Sequence, residues 1–375
     1  MDEWNACAGS QNQHQAVDAS GDKHSGAGCA RLRAARLMSS TASAEDAALS
    51  SVNHEVSLST GSRALVIGAA TIAVALLLVA VKGYQPAAQA TVNGLVTGTF
   101  FALGAVGLAL VYGVLRLVNF AHGDFLTFGA YIALACNTLL SLPIIIATVI
   151  ATVATALMAA LLELLLWRPM RTRRAGHLQL LLTAIGLAYV IRNGIQLVAG
   201  ADPRSLRVNV TSAVSFLGGL RLGTTELAVV LVGLVVLVLV AILLSASRLG
   251  REMRALADNL NLAEVAGVNT GRVIIATWLV AGGLAGLAGV LVGAAVGVLT
   301  PNFGFELLLG LFAATILGGI GNAYGALAGG LLLGLAEEWS TLFIDPSWKL
   351  AVGFVILILT LLIRPNGLLG RPGLK

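Results

Sequence analysis

Charge is scarce in this chain. Only 11% of its 375 residues are Asp, Glu, Lys or Arg, while 57% are hydrophobic. That balance, with a mean hydropathy of +0.90, excludes an ordinary soluble domain. Lysine is scarcer still. The four lysines are Lys23, Lys82, Lys349 and Lys375, and none follows a glycine. A phosphate-cradling P-loop needs Gly-Lys before Ser or Thr, so the chain has no such nucleotide site of its own. Three of the five histidines (His14, His24, His54) fall in the first 62 residues. No H-E-x-x-H or Ser-His-Asp pattern is present, which argues against an intramembrane enzyme. The three cysteines (Cys7, Cys29, Cys136) have neither metal-ligand spacing nor a disulfide framework. Cys136 lies in an apolar run, where it is expected to pack as a small hydrophobe. The short alternating segments of a membrane β-barrel are also missing.

What is present is a series of apolar runs near the length needed to cross a bilayer. They lie at 64–81, 92–115, 125–141, 143–166, 178–199, 226–246, 272–298, 305–320, 324–338 and 350–363. The fold class expected is all-α: a polytopic transmembrane helix bundle of about 8–10 spans. Forty-four glycines suit close helix–helix packing, as in a transporter or channel. Residues 63–371 form the membrane domain. Residues 1–62, rich in Ser, Ala, Asn and Gln, read as a disordered cytoplasmic tail, and Met38 is an alternative start.

Arginines mark one side of these spans. Arg116 follows the second run. Arg168, Arg171, Arg173 and Arg174 follow the fourth, Arg248, Arg251 and Arg254 the sixth, and Arg364 and Arg371 the last. With cytoplasmic N- and C-termini, every cluster falls inside, as the positive-inside rule asks. The net charge of +5 therefore reflects membrane topology and is not a nucleic-acid signal. Arg204, Arg207 and Arg221, in the long loop 200–225, then lie outside against the rule. Parity requires 300–345 to cross an even number of times. The glycine-rich break at 318–325 makes 305–338 two short spans or a re-entrant pair.

Three stretches carry functional expectations. The polar block Val118–Asp124 interrupts apolar, glycine-rich sequence. Lipid cannot satisfy Asn119, His122 and Asp124, so they must face water, protein or a transported solute. Arg116 beside them places the block at or near the cytoplasmic face, shaping an inner gate. Arg192 and Asn193 sit within the fifth run. A charge there contacts solute, snorkels outward, or pairs with a carboxylate of a neighbouring helix. Asn93 and Thr97, on the second run, join these as translocation-pathway candidates. Glu163, the acid deepest in a run, is expected to pair with Arg168 at the interface. Finally, the loop 247–272 contains a helix-forming segment, 251–266, with Leu256, Leu260 and Ala263 on one face and Gly267 as its stop. Its balanced charge favours docking into a partner protein over a lipid surface. A short echo, Asn119-Phe120 against Asn302-Phe303, hints at an internal repeat but is too brief to distinguish from chance.

These residues bring a family with them. The chain resembles the branched-chain amino-acid ABC transporter permeases. The resemblance rests on Val111-Tyr112-Gly113-Val114, Asn119-Phe120-Ala121-His122-Gly123, Thr183-Ala184-Ile185-Gly186-Leu187, the loop Arg254–Arg272, and Leu317-Gly318-Gly319-Ile320-Gly321. It covers about 90–370. The chain departs from the family pattern at Asp124, usually Glu, and at Arg192, usually a neutral amide.

The resemblance implies a permease subunit in the bacterial plasma (inner) membrane, with ATP bound by partners and no cofactor of its own. The implied partners are cytoplasmic ATP-binding subunits, a second permease subunit, and a periplasmic or lipid-anchored solute-binding protein. The lipid bilayer surrounds them and no nucleic acid is involved. Arg254, Ala257, Ala263, Glu264, Gly267 and Arg272 become the ATPase-coupling loop. The alternatives are a permease for urea or short amides on the same scaffold, or a self-contained secondary carrier or channel.

Overall fold

All ten apolar runs fold as helices. The computed structural model describes residues 60–207, 213–216, 220–364 and 366–370. Apart from its last three residues, the expected N-terminal tail lies outside the described residues. The helices are α1 (Thr60–Lys82), α2 (Tyr84–Leu115), α3 (His122–Thr138), α4 (Ile144–Thr172) and α5 (His177–Ala199). A short antiparallel hairpin, β1 (Ala213–Phe216) and β2 (Leu220–Gly223), precedes α6 (Thr224–Ala246). Then come α7 (Arg248–Asp258), α8 (Leu260–Val265), α9 (Thr270–Val296), α10 (Phe303–Gly318), α11 (Ala323–Ser340) and α12 (Lys349–Ile363). Seven of these helices are long and apolar enough to cross a membrane, or up to eight if α10 and α11 count as one bent span. The chain is a multi-pass membrane protein.

The core belongs to α2 and α9, whose hydrophobic windows are 89% and 72% buried, against 6% for α1. Small residues let other backbones reach them. On α2, a Cβ at Gly98 would lie 2.9 Å from the Cα of Leu331 on α11. On α9, Gly282 and Gly286 receive α4 at Ala159 and Thr155 in the same way.

These pairings expose a repeat that the Asn-Phe echo only hinted at. The unit α2–α3–α4 recurs as α9–α10–α11. Leu311 of α10 lies on Gly104 of α2, and Gly129 of α3 lies on Gly286 of α9. At the centre, Gly123 of α3 and Gly304 of α10 touch each other, and a methyl on either would run into the other's carbonyl oxygen. The copies are inverted. The Arg116 guanidinium, at the end of α2, donates to the Ala257 carbonyl (3.1 Å) in the segment that leads into α9. So α2 finishes on the face where α9 begins, the arrangement of many membrane transporters.

The arginine clusters share that face. Arg116 meets the α7–α8 segment there. Trp167, near the end of α4, stacks on Trp278 near the start of α9 (6.0 Å, 4°) and brings Arg168–Arg174 to the same end. Glu163 pairs there too, with Arg171 instead of the expected Arg168. A π-turn over Glu163–Trp167 changes the helical phase and carries the later residue to the carboxylate.

The α10–α11 pair bends by 120° at Gly319–Asn322, so the chain turns back, as a re-entrant pair does. Gly319 (φ 116°) and Gly321 (φ 80°) supply backbone angles that side-chain-bearing residues rarely adopt. The carbonyls freed at the turn are capped by the C-terminal segment: Leu368 N–H donates to Leu317 O (2.8 Å) and Leu369 N–H to Gly318 O (3.1 Å). At the opposite face, Arg204 caps α5 through the Ala199 carbonyl (3.1 Å) and pairs its backbone with Leu299. Those contacts give the arginine a structural reason to stand where the charge rule disfavours it.

Candidate functional site

The polar block is not at the basic face. Asn119, His122 and Asp124 are each fully buried. His122 Nε2 lies 2.9 Å from the carbonyl of Gly104, eleven residues before the end of α2. At 1.5 Å per residue that is about 16 Å into the bundle. Arg116 takes a left-handed conformation (φ 52°), and residues 116–121 lead back inward before α3 begins at His122. The expected place at or near the basic face, beside Arg116, is therefore corrected: the block lies deep in the bundle. The basic charge fixed the face of Arg116 itself but not the depth of His122 six residues on.

Within the bundle the block is partly self-satisfied. Asn119 Oδ1 accepts from the Ala121 N–H (3.1 Å), forming the turn that starts α3. A carbonyl can only accept, so His122 Nε2 carries the proton and donates it to Gly104. Asn119 Nδ2 and His122 Nδ1 have no hydrogen-bond partner among the described residues. Thr127 Oγ1 accepts from the Gly304 N–H (3.2 Å), tying the starts of the two half-length helices together.

Asp124 and Arg192 find each other. Arg192 donates from Nε to Oδ1 (2.9 Å) and from Nη2 to Oδ2 (3.1 Å), a bidentate pair at the α3–α5 contact. Phe305 of α10 stacks on the guanidinium at 4.2 Å, and Tyr189 lies at 5.5 Å. Helix α5 otherwise buries only Ala184 and Ala188, so its inner face is a narrow stripe of every fourth residue that ends in this pair. Asn193, one position on, is exposed and bonds the Tyr189 carbonyl (2.8 Å); it does not join the group.

Thr97 belongs to a second cluster, and Asn93 bonds within its own helix, accepting from Gln89 (2.9 Å). Thr97 donates to Glu338 Oε1 (3.1 Å), which also accepts from Lys349 Nζ (2.6 Å) at the start of α12. Sequence reading missed Glu338, Lys349, Tyr189 and Phe305. The adjacent acids Glu337-Glu338 at the end of an apolar run were the available signal for this cluster.

On the basic face the segment 251–266 is two helices, not one. Asn259 (φ −158°, ψ 108°) breaks it and caps α8, accepting from the Leu262 N–H (3.0 Å). Leu256 and Ala263 are buried as expected, but Leu260 is exposed, because the break rotates the second helix out of phase. Gly267 (φ 82°) closes α8 as anticipated: Val268 N–H bonds Ala263 O and Gly267 N–H bonds Glu264 O, each at 3.0 Å. Arg254 binds the Leu244 carbonyl, and Ala257 holds Arg116. Glu264 and Arg272 project outward. Leu262 (65% exposed) and Val265 (87%) present an apolar tip on this charged face.

An inverted-repeat helix bundle with charged and polar groups buried at its centre is the architecture of a membrane transport permease. The family model described as "Branched-chain amino acid transport system / permease component" matches residues 90–361, and the chain belongs to that family. It is 36% identical over 296 residues to the high-affinity branched-chain amino acid transport system permease protein BraD of Pseudomonas aeruginosa, covering 76% of this chain and 96% of that protein. It is 34% identical over 298 residues to the LivH permease of Escherichia coli, with the same coverage. The LivM permease of E. coli is 25% identical over 327 residues, covering 80% of this chain and 76% of LivM. No solved structure matches.

Proposed function

We propose that this chain is the membrane-spanning subunit of an ATP-driven importer of hydrophobic, branched-chain amino acids. The observation that carries the reading is the near full-length similarity to permeases named for that transport. Cytoplasmic ATP-binding subunits hydrolyse ATP, a second permease subunit completes the channel, and a periplasmic or lipid-anchored binding protein delivers the solute. The basic face is cytoplasmic in a bacterial plasma membrane, and α7–α8 is the element that receives the ATPase. The exposed Leu262 and Val265, on a segment held rigidly by Arg116 and two caps, support this role.

Two experiments test the reading. Cells lacking their own leucine uptake should regain it when this chain is produced with its ATPase, second permease and binding protein. Uptake of urea but not leucine would assign the other solute class. Val265→Arg should leave the protein inserted but lower ATP-dependent uptake at least tenfold, because a charge replaces the apolar contact. Unchanged uptake would remove α8 from the coupling role.

A further inference from the structure

We infer that Arg192, already paired side-on with Asp124, forms with Tyr189 and Phe305 a head-group subsite for a zwitterionic α-amino acid. The inference rests on the proposed transport function and specifies where this chain recognises the solute. The pair uses Nε and Nη2 of the guanidinium. A guanidinium bound on that edge still presents its end, Nη1 with Nη2, to a second carboxylate. Arg192 lies seven residues from the end of α5 at Ala199, about 10 Å from the face opposite the arginine clusters. Its side chain keeps 10% of its surface open. The rings beside it are more open: Tyr189 is 58% exposed and Phe305 44%. Two aromatic rings beside a partly covered guanidinium suit a carboxylate joined to a branched aliphatic side chain.

Asp124 sets the selectivity. Because it neutralises Arg192 in advance, a simple carboxylate would leave the buried group with net negative charge, which desolvation penalises. A zwitterion carries its own ammonium, and the whole assembly stays neutral. The same balance disfavours an amine without a carboxylate, which has no partner on the arginine.

Competition for labelled L-leucine on the permease–ATPase complex in nanodiscs, without the binding protein, tests this. In the wild type, unlabelled leucine should compete, while 4-methylpentanoate and 3-methylbutylamine should compete at least tenfold more weakly. Asp124→Asn leaves Arg192 hydrogen-bonded but unneutralised, so 4-methylpentanoate should gain at least fivefold against leucine. Arg192→Lys keeps the counter-charge of Asp124 but has no second planar edge, so it should weaken leucine at least tenfold while the complex stays assembled, and Tyr189→Ala should weaken leucine more than alanine. Wild-type selectivity retained in Asp124→Asn, or loss of all binding in both variants alike, overturns the subsite and leaves the pair a purely structural tie. Failure of the wild-type importer to take up any amino acid would instead be failure of the transport reading.

Discussion

Gly304→Ala is expected to destabilise the folded permease strongly. Gly304 and Gly123 meet where the two inverted units cross, and the nearest atom a methyl on either would meet is the other's backbone carbonyl oxygen, which cannot swing away as a flexible side chain can. Overpacking of this kind costs about 1–3 kcal/mol where neighbours can adjust. Here the shift would also pull the Gly304 N–H from Thr127 Oγ1, adding about 1–3 kcal/mol for an unsatisfied buried donor. Gly123→Ala should behave alike, since each glycine faces the other's carbonyl. Gly186→Ala provides the control. It lies on the exposed side of α5 with nothing within 4 Å, and gains about 1 kcal/mol of helix propensity. Thermal midpoints in detergent should fall sharply for Gly304→Ala and Gly123→Ala and hold or rise for Gly186→Ala. Equal midpoints for all three would mean the two half-helices do not touch in the assembled protein.

Asp124→Leu should be nearly as damaging, for an electrostatic reason. It leaves the Arg192 guanidinium buried without its counter-charge, a loss of about 3–5 kcal/mol. The double variant Asp124→Leu, Arg192→Met should recover most of that stability, because removing both charges of a buried pair is often close to neutral. It should not recover leucine recognition. Stability and recognition therefore separate in a double-mutant cycle. If the single variant is as stable as the wild type, water reaches Arg192 freely and the pair contributes little.

The sequence was informative about what lies along each helix and less so about what meets across them. Apolar runs identified the ten membrane helices of the described residues, because a bilayer demands apolar length and helical backbone satisfaction. Charge asymmetry sorted the loops into two faces correctly: Arg116, Arg171 and the Arg248–Arg254 group do share an end. The same reasoning misplaced His122, since a short non-helical stretch can return into a bundle without changing the charge of its surroundings. The α7–α8 segment failed for a local reason. Asn259 both breaks and caps a helix, and helix propensity summed over the segment hides one residue with two roles. Arg192 was legible as an anomaly but its partner was not, because 68 residues separate it from Asp124. The Asn-Phe echo was too short to carry weight in one dimension, yet it marks the two places where half-length helices begin.

On the proposed function, this chain forms a path for a hydrophobic amino acid and draws its energy from other subunits. Purified chain should be reconstituted in liposomes in two ways: alone with an imposed proton or sodium gradient, and with its ATPase, second permease and solute-binding partners plus ATP. Labelled leucine should accumulate only in the second set, and only while ATP is hydrolysed. Gradient-driven accumulation by the chain alone would contradict the account and assign it to the secondary carriers.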